Sequence, residues 1–343
     1  MKTKVMSLNL EVVKISDLPE RELVKVDEWV LDCCSNGEFI NTNRYLSYHP
    51  RSRFSDDSIV VVDQRSRAVK GLVMAACLST NTNHIVSHPG TTFAGPIFKS
   101  NQRVDEIDQV LGLMLGYYES KYRVVEFRLQ PTVYASQPTE EISYFLMKRG
   151  YRHEYTALTN IINLTSISCT DDIFQLYEPK RRNQVRKCIR EYDYSISLDC
   201  RLDANIWGSM NANLASKYGT SSTHTFEEIS ALKGLFPQNI IACEAQRSDG
   251  RYGAFALVYK FKNVFHTQYL DLNYELRTEY PNLLLIHNLI EMAIGEGFKW
   301  FSFGASTENR GKMLNTGLYN FKKGFGGGRI LQSAFVKHSS HDS

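Results

Sequence analysis

Residues 144–151 read YFLMKRGY and residues 318–325 read LYNFKKGF, and the two stretches share one pattern. Each places an aromatic-rich turn before a basic pair, a glycine and a second aromatic. Gly150 and Gly324 lie 174 positions apart. Glycine commonly ends a helix, and cations stabilise a helix C-terminus. Each stretch therefore predicts the end of a helix, and their repetition predicts a duplicated fold unit.

The flanking sequence repeats in the same order. At the same offset of 174, a strand-like segment precedes each helix end, and an apolar helix-like segment precedes each of those strands. Further upstream, each half has two apolar runs joined by a polar turn, which is typical of a β-hairpin. Ile59 matches Ile240 there at an offset of 181. The matched segments are VVEFRLQP (124–131) with FKWFSFGA (298–305), residues 107–120 with 281–294, and residues 58–79 with 239–260.

This order of elements predicts an α/β (α+β) fold in each half, with a mixed central sheet flanked by helices. Because 343 residues exceed what one compact core usually serves, two domains are expected. We place the first at 1–166 and the second at 167–338. The joint falls in LTSISCTDD, residues 164–172, where polar turn residues cluster. The tail at 339–343 is expected to fray.

Composition narrows the function classes. The chain is 43% hydrophobic and 12% aromatic, which is typical of a folded globule. A net charge of +3 is too small to indicate nucleic-acid binding by bulk electrostatics, so a polyanion site would have to be a local patch.

Cysteine usage and hydropathy predict a cytoplasmic protein. The seven cysteines include no CxxC pair and no zinc-like spacing, so we expect reduced thiols and no metal. The N-terminal residues lack the apolar core of a signal peptide. Because no stretch approaches the ~20 apolar residues that a membrane span needs, none is predicted.

The repeated strand–helix–strand–helix order, ending in an aromatic, a lysine and Gly-Phe, resembles the C-terminal half of a GNAT acyltransferase domain. Two such domains in one chain resemble the FemABX group of peptidyltransferases and its acyltransferase relatives. Three stretches are similar to segments of that family: HPGTTFAGPIF (88–98), the arginine-rich PKRRNQVRKCIR (179–190) and NTGLYNFKKGFGG (315–327).

The resemblance implies two tandem GNAT-like domains and an enzyme, an acyltransferase. FemABX enzymes attach an amino acid from aminoacyl-tRNA to an amine of a peptidoglycan precursor. Relatives transfer acyl groups from acyl-CoA onto amines in envelope or polysaccharide pathways. The donor substrate is therefore expected to be aminoacyl-tRNA or acyl-CoA, and the partner a cell-envelope precursor or another amine. No stable protein partner is predicted.

Two residues of the second copy are candidates for catalysis. By resemblance, Lys322 lies near the reacting carbonyl, where a cation would stabilise the developing oxyanion. Tyr319 lies where the GNAT pattern often has a tyrosine that protonates the leaving group. The alternative is a core aromatic beside a helix cap, because the first copy has the same cap at Lys148 and Arg149. The first copy has Phe145 in place of the tyrosine, which favours the second half as the catalytic one.

The basic stretch at 179–190 predicts a helix that begins at Pro179. Val185, Cys188 and Ile189 would face the core, while arginines line up on another face. Arg182 and Arg186 are candidates for binding phosphate on a nucleotide, a precursor or tRNA, since arginine binds phosphate with a bidentate fork. A solvated basic face is the alternative.

The segment at 271–282, DLNYELRTEYPN, has no glycine. Acyl-CoA-using GNAT domains have a glycine-rich loop there, so its absence leaves coenzyme A binding unsupported, although Arg277 could contact a phosphate. Asp271 and Glu275 could deprotonate an incoming ammonium. His266, alone in a strand, is interpreted as a core residue. By resemblance only, Lys217 and Tyr218 shape the acceptor pocket.

Three hypotheses follow. The leading one is transfer of an aminoacyl or acyl group onto an amine of a peptidoglycan or polysaccharide precursor. The second is an acyl-CoA-dependent N-acetyltransferase acting on a small amine or amino sugar. The third is a non-catalytic protein that binds an anionic glycan or RNA.

Overall fold

The computed structural model describes residues 9–50, 52–78, 81–167 and 170–338. The predicted frayed tail lies outside these residues. Two compact units are present. The first unit ends at Thr156 and also includes the chain from Gln332 onward, and the second unit runs from Ala157 to Leu331. The predicted joint between duplicated domains at residue 166 stays a prediction.

The first unit has two sheets. One has the order β1-β3-β4-β7 and is antiparallel. The other has the order β17-β8-β6-β5-β2, in which only β6 and β8 are parallel. The strands are β1 Leu10–Lys14, β2 Phe54–Asp56, β3 Ile59–Asp63, β4 Val69–Val73, β5 Ala75–Leu78, β6 Asn81–Ser87, β7 Pro96–Ile97, β8 Val124–Arg128, the start of β9 Arg152–Asn163 and the end of β17 Gly328–His338; the helices are α1 Glu20–Glu28, α2 Asn43–Leu46, α3 Val104–Glu119 and α4 Glu140–Lys148.

The second unit has one large sheet in the order β10-β11-β12-β13-β14-β9. Its neighbours are antiparallel except for β13 and β14. The elements are α5 Thr170–Leu176, α6 Pro179–Glu191, β10 Tyr194–Cys200, α7 Ala204–Tyr218, α8 Phe226–Leu235, β11 Ile240–Arg247, β12 Tyr252–Lys260, β13 Val264–Leu272, α9 Pro281–Gly295, β14 Trp300–Ala305, the short hairpin β15 Thr307–Glu308 and β16 Met313–Leu314, α10 Thr316–Lys323, and the start of β17.

Each unit has its own hydrophobic core beneath one long helix. In the first unit, apolar residues of α3 recur at helical spacing and pack against the strands: Ile107, Val110, Leu111, Met114 and Leu115. In the second unit, α9 does the same with Leu283, Leu285, Ile286, Leu289 and Ile290. The expectation that α9 is mostly buried is confirmed.

The predicted fold class is confirmed. Both units contain, in one order, a strand, two helices, a β-hairpin, a strand parallel to a later one, a long helix, that later strand, a second helix and a final strand. The first unit adds β2, β5 and β7 to this order, and the second adds α5 and α6 before it and the β15–β16 hairpin within it. The hairpins predicted from Ile59 and Ile240 are β3–β4 and β11–β12, and each begins at the matched isoleucine. The order of elements was therefore readable from the repeated segments.

One packing expectation was wrong. Val185 and Cys188 of α6 are buried, but Ile189 is 53% exposed. The core-facing stripe of α6 is thus narrower than the i, i+3, i+4 pattern predicted, because α6 lies at the surface of the second unit and buries only one line of residues.

Candidate functional site

The candidate site lies where two parallel strands of the second unit part. β13 and β14 pair at only three positions: Val264 with Trp300, Phe265 with Phe301, and His266 with Ser302. β13 then continues along β12 to Leu272, while β14 bends near Gly304 and pairs with β9. Gly304 has φ +68°, a left-handed conformation that favours glycine. The divergence leaves a free edge on β13.

A cavity of about 310 Å³ lies at this edge. Its wall includes Leu270, Asp271 and Leu272, which are consecutive on β13 and so alternate between the two faces of the sheet. The remaining wall comes from α7, α9, α10 and the turn that follows β13: Asn213, Leu214, Lys217, Tyr274, Asn282, Ile286, Gly317, Leu318, Phe321 and Lys322.

Lys322 is the central polar group of this cavity. It is only 4% exposed. Its Nζ donates hydrogen bonds to the carbonyl oxygens of Gly304, at 3.0 Å, and Ala305, where β14 has left β13. Within the described part of the chain, no carboxylate forms an ion pair with it. Burial therefore lowers the pKa of Lys322 to about 7.

The helix α10 directs Lys322 inward. Asn315 caps the helix by accepting a hydrogen bond from the Leu318 N–H at 2.9 Å. Leu318, Phe321 and Lys322, spaced i, i+3 and i+4, form the face that lines the cavity. Lys323 points the other way and pairs with Glu178 at 3.5 Å. The adjacent lysines thus have different environments.

His266 packs behind Lys322 as a neutral core residue. It is 5% exposed, and its Nδ1 lies 3.1 Å from Ser302 Oγ. Burial, and then the charge of Lys322, lower the pKa of His266 to about 3. The interpretation of His266 as a core histidine is confirmed, and the ring does not compete with Lys322 for a proton near neutral pH.

A second polar group surrounds Asp271. Its carboxylate accepts hydrogen bonds from Asn213 Nδ2 at 3.0 Å and from the Tyr252 hydroxyl at 2.6 Å. The ammonium of Lys217 lies 3.8 Å from the centre of the Tyr274 ring. Burial lowers the pKa of Lys217, and the charge of Asp271 opposes that effect. The cavity thus has a carboxylate held by neutral donors and a cation held against an aromatic face.

The structure brings Lys322, Lys217 and Asp271 together in one cavity. Tyr319 is half-buried on α10 outside the cavity wall, with the Arg329 guanidinium 5.1 Å from its ring centre. Its role as a general acid stays a prediction. The side chain of Tyr218 lies outside what the structure describes.

The basic helix α6 does not line the cavity. Arg186 lies over the Phe174 ring at 5.0 Å, and Arg182 Nη2 donates to the Tyr177 carbonyl oxygen at 3.4 Å. Their phosphate-binding role stays a prediction. Arg181 was not singled out by the sequence, yet it is largely buried and donates from Nη2 to the Phe321 carbonyl oxygen at 2.9 Å.

The start of α9 is occupied by side chains of this chain. Tyr280 has φ +64° and Pro281 begins the helix. The Glu279 carboxylate accepts a hydrogen bond from the Tyr194 hydroxyl at 2.6 Å and pairs with Arg247 at 3.4 Å. Arg277 is exposed and donates to the Tyr274 carbonyl oxygen at 3.0 Å. A carboxylate beside this helix N-terminus opposes binding of a pyrophosphate there.

Sequence reasoning missed several members of the site. Asn213 precedes Lys217 by one helical turn, so an assigned helix at 204–218 would have placed both on one face. Tyr252 could not be found in this way, since only the pairing of β12 with β13 brings it to Asp271. Tyr274 and Asn282 lie in the glycine-free segment 271–282, in which the sequence pointed only to Asp271, Glu275 and Arg277.

Comparison with known proteins gives the class of this protein. Residues 179–323 match the family model of the acetyltransferase (GNAT) domain. This match covers the candidate site and most of the second unit. No curated protein matches the sequence.

Solved structures show the same fold along nearly the whole chain. The crystal structure of FemX aligns with a TM-score of 0.66 at 12% identity, covering 95% of this chain and 96% of FemX. L-PGS from Bacillus licheniformis aligns with a TM-score of 0.57 at 12% identity, covering 94% of this chain and 92% of that one. A tandem GNAT protein from the clavulanic acid biosynthesis pathway aligns with a TM-score of 0.54 at 10% identity, covering 97% of this chain and 100% of that protein's chain.

Residues 179–323 thus match an acetyltransferase (GNAT) domain, and the chain has a FemX-like, tandem GNAT fold, as the sequence predicted; together these findings support an acyltransferase. Among the described residues, no helix has the length and apolar character to cross a membrane. The same residues contain no group of three or more His, Cys, Asp or Glu side chains placed to hold a metal ion.

Proposed function

We propose that this protein transfers an aminoacyl or acyl group from an ester or thioester onto an amine of a cell-envelope precursor, of peptidoglycan or polysaccharide. The observation that carries the proposal is the buried, carboxylate-free Lys322 at the cavity where β13 and β14 part. The likenesses to FemX and to L-PGS support an aminoacyl donor and an envelope acceptor.

Lys322 stabilises negative charge in this reaction. The acceptor amine attacks the donor carbonyl, a C–N bond forms, and the carbonyl oxygen becomes an oxyanion. Two N–H groups of the ammonium are held by Gly304 and Ala305. The third is left to donate to the oxyanion in a site with little water, where such a bond is strong.

Proton transfers complete the reaction. An amine is protonated near neutral pH and must lose a proton before it attacks. Asp271, at the cavity wall, accepts that proton or holds the ammonium until it is lost. The oxyanion then re-forms the carbonyl as the C–O or C–S bond breaks, and the leaving oxygen or sulfur takes a proton, for which Tyr319 is the proposed donor. The attacking nitrogen loses its second proton, which restores the Tyr319 hydroxyl. Lys217 binds an anionic part of the acceptor.

An acyl-CoA-dependent N-acetyltransferase is the second candidate. The match to the acetyltransferase (GNAT) domain favours it. Glu279 at the start of α9 disfavours it, because a pyrophosphate placed there would meet a carboxylate. An aminoacyl ester of RNA needs no pyrophosphate-binding loop at the start of α9. Arg182 and Arg186 would bind the RNA phosphates on the exposed face of α6.

A donor screen tests the proposal. The protein is incubated with labelled aminoacyl-tRNA or acyl-CoA and with an amine-bearing peptidoglycan precursor or an amino sugar, and the amide product is detected by mass spectrometry. We expect amide from aminoacyl-tRNA, with binding that weakens steeply with salt. Amide from acetyl-CoA alone would favour the second candidate, and no amide from either donor class would contradict both.

A further inference from the structure

The cavity beside Lys322 is mostly apolar, which a site for a very small acyl group does not need. Its apolar side chains come from four elements: Leu214 of α7, Leu270 and Leu272 of β13, Ile286 of α9, and Leu318 and Phe321 of α10. They surround the space from several directions instead of forming one flat face. Such a lining favours an apolar occupant.

The polar side chains of the wall have their own partners in part. Lys322 is fixed to the carbonyl oxygens of Gly304 and Ala305 at the point where β14 departs. Asp271 is fixed by Asn213 and Tyr252, and the Lys217 ammonium lies over the Tyr274 ring. The six apolar side chains of the wall are available to the rest of an occupant whose carbonyl meets Lys322.

The volume sets the size of the occupant. A cavity needs roughly 10–15 Å³ on the same measure to hold one water molecule, so 310 Å³ admits a group far larger than acetyl. An acetyl or glycyl group would leave most of this space unfilled by the substrate. A substrate that leaves an apolar cavity unfilled gains less free energy from the burial of apolar surface and makes fewer van der Waals contacts.

We propose that the transferred group is a bulky apolar acyl group, either a medium-length fatty acyl chain or an aminoacyl group with a large apolar side chain. This inference rests on the proposed function for the identity of the site. It adds the substrate class: the donor carbonyl meets Lys322, and the apolar remainder lies among Leu214, Leu270 and Ile286. The two sources share the apolar chain and differ in the α-ammonium, which only the aminoacyl source carries.

Binding of small donor analogues tests the inference without a transfer assay. The probes are S-acetyl- and S-octanoyl-N-acetylcysteamine for the acyl source, and the methyl esters of glycine and L-phenylalanine for the aminoacyl source. We expect octanoyl to bind at least about 100-fold more tightly than acetyl, or phenylalanyl than glycyl, by calorimetry, since each buried methylene contributes about fourfold. The pair with the larger ratio identifies the source.

Paired variants locate the binding. Leu214→Trp should fill the cavity and shift the preferred acyl chain to shorter lengths, and Leu214→Ala should shift it to longer ones. Opposite shifts cannot come from partial unfolding. Leu331→Trp is the matched control, because Leu331 is 57% exposed and outside the cavity wall, and it should leave the preference unchanged.

Equal affinity for the short and long probes of both pairs would overturn the inference, as would a chain-length preference that the Leu214 variants do not move. Failure of the proposed function is recognised separately. In that case, no donor yields amide although the long probes bind. Binding of the long probes is therefore measured independently of catalysis.

Discussion

At the scale of single residues, the site depends on a lysine that is buried without a counter-ion among the residues that the structure describes. Removing a cation from water costs free energy, and only two backbone carbonyls compensate Lys322. A protein under selection for stability alone would have an apolar side chain at this position. The first of the next two predictions tests the role of this charge in catalysis, and the second tests the free energy of unfolding that it costs.

The first prediction concerns pH. If the charged form of Lys322 stabilises the oxyanion, the transfer rate falls as pH rises through about 7, where burial places its pKa. Lys322→Arg, whose guanidinium stays charged, should lack this fall, although its rate will be lower because its geometry differs. Single-turnover rates between pH 5.5 and 9 measure both. A rate that rises through pH 7 in the unchanged protein but not in Lys322→Arg would instead make neutral Lys322 a base.

The second prediction concerns stability. The pKa of Lys322 is about 7 in the folded protein and near 10.5 when unfolded, so the unfolded state binds the proton more tightly. The destabilisation is full below pH 7 and disappears as pH rises toward 10.5. Lys322→Met should therefore raise the free energy of unfolding at pH 6 by about 2 kcal/mol, after the loss of two hydrogen bonds. Urea unfolding at pH 6 and 9 measures this, and a lower stability of the variant at pH 6 would contradict it.

At the scale of elements, α6 holds α10 in place through Arg181. The guanidinium lies 4.8 Å from the Phe321 ring centre and 4.7 Å from that of Phe325, and it donates to the Phe321 carbonyl oxygen. A Cβ at Gly324 would come within 2.9 Å of Arg181 Nε, so glycine permits this approach. Arg181 is thus a positioning residue for the helix that presents Lys322.

A third prediction follows for this contact. Arg181→Ala should lower the free energy of unfolding by about 2 kcal/mol, because it removes a charge-assisted hydrogen bond and leaves a gap. It should also lower the transfer rate about tenfold with its pH dependence unchanged, since Lys322 would be displaced but not altered. Arg190→Ala is the control, because Arg190 is exposed and pairs with its neighbour Glu191. Loss of rate in both variants alike would mean that α6 acts by charge.

The duplicated helices show how far the sequence could predict the site. The shared K-[RK]-G-[YF] pattern predicted both helix ends, but not which faces they bury. In α4 the residues that match Leu318, Phe321 and Lys322 are Tyr144, Met147 and Lys148, and all three are exposed. In α10 the matching face turns into the cavity. Which face of each helix is buried depends on the neighbouring elements. The sequence pattern alone therefore could not decide whether Lys322 belongs to a helix cap or to an active site.

At the scale of the whole molecule, the order of elements was predictable because it repeats. In each unit, the parallel strand pair is short: β6 and β8 pair at three positions, and so do β13 and β14. The cavity could not be predicted, because it depends on where β14 bends and on side chains from four elements. The polar contacts to Asp271 depend on strand register for the same reason.

The repeat also supplies the most direct test of the account. The fourth prediction is that Lys322→Ala lowers the single-turnover transfer rate at least about 100-fold, the usual effect of removing an oxyanion donor. Lys148→Ala, at the matching position of the first unit, and Lys323→Ala, at the adjacent surface position, should each stay within about twofold of the unchanged protein. Equal rates for all three variants would contradict the assignment of the transferase site to this cavity.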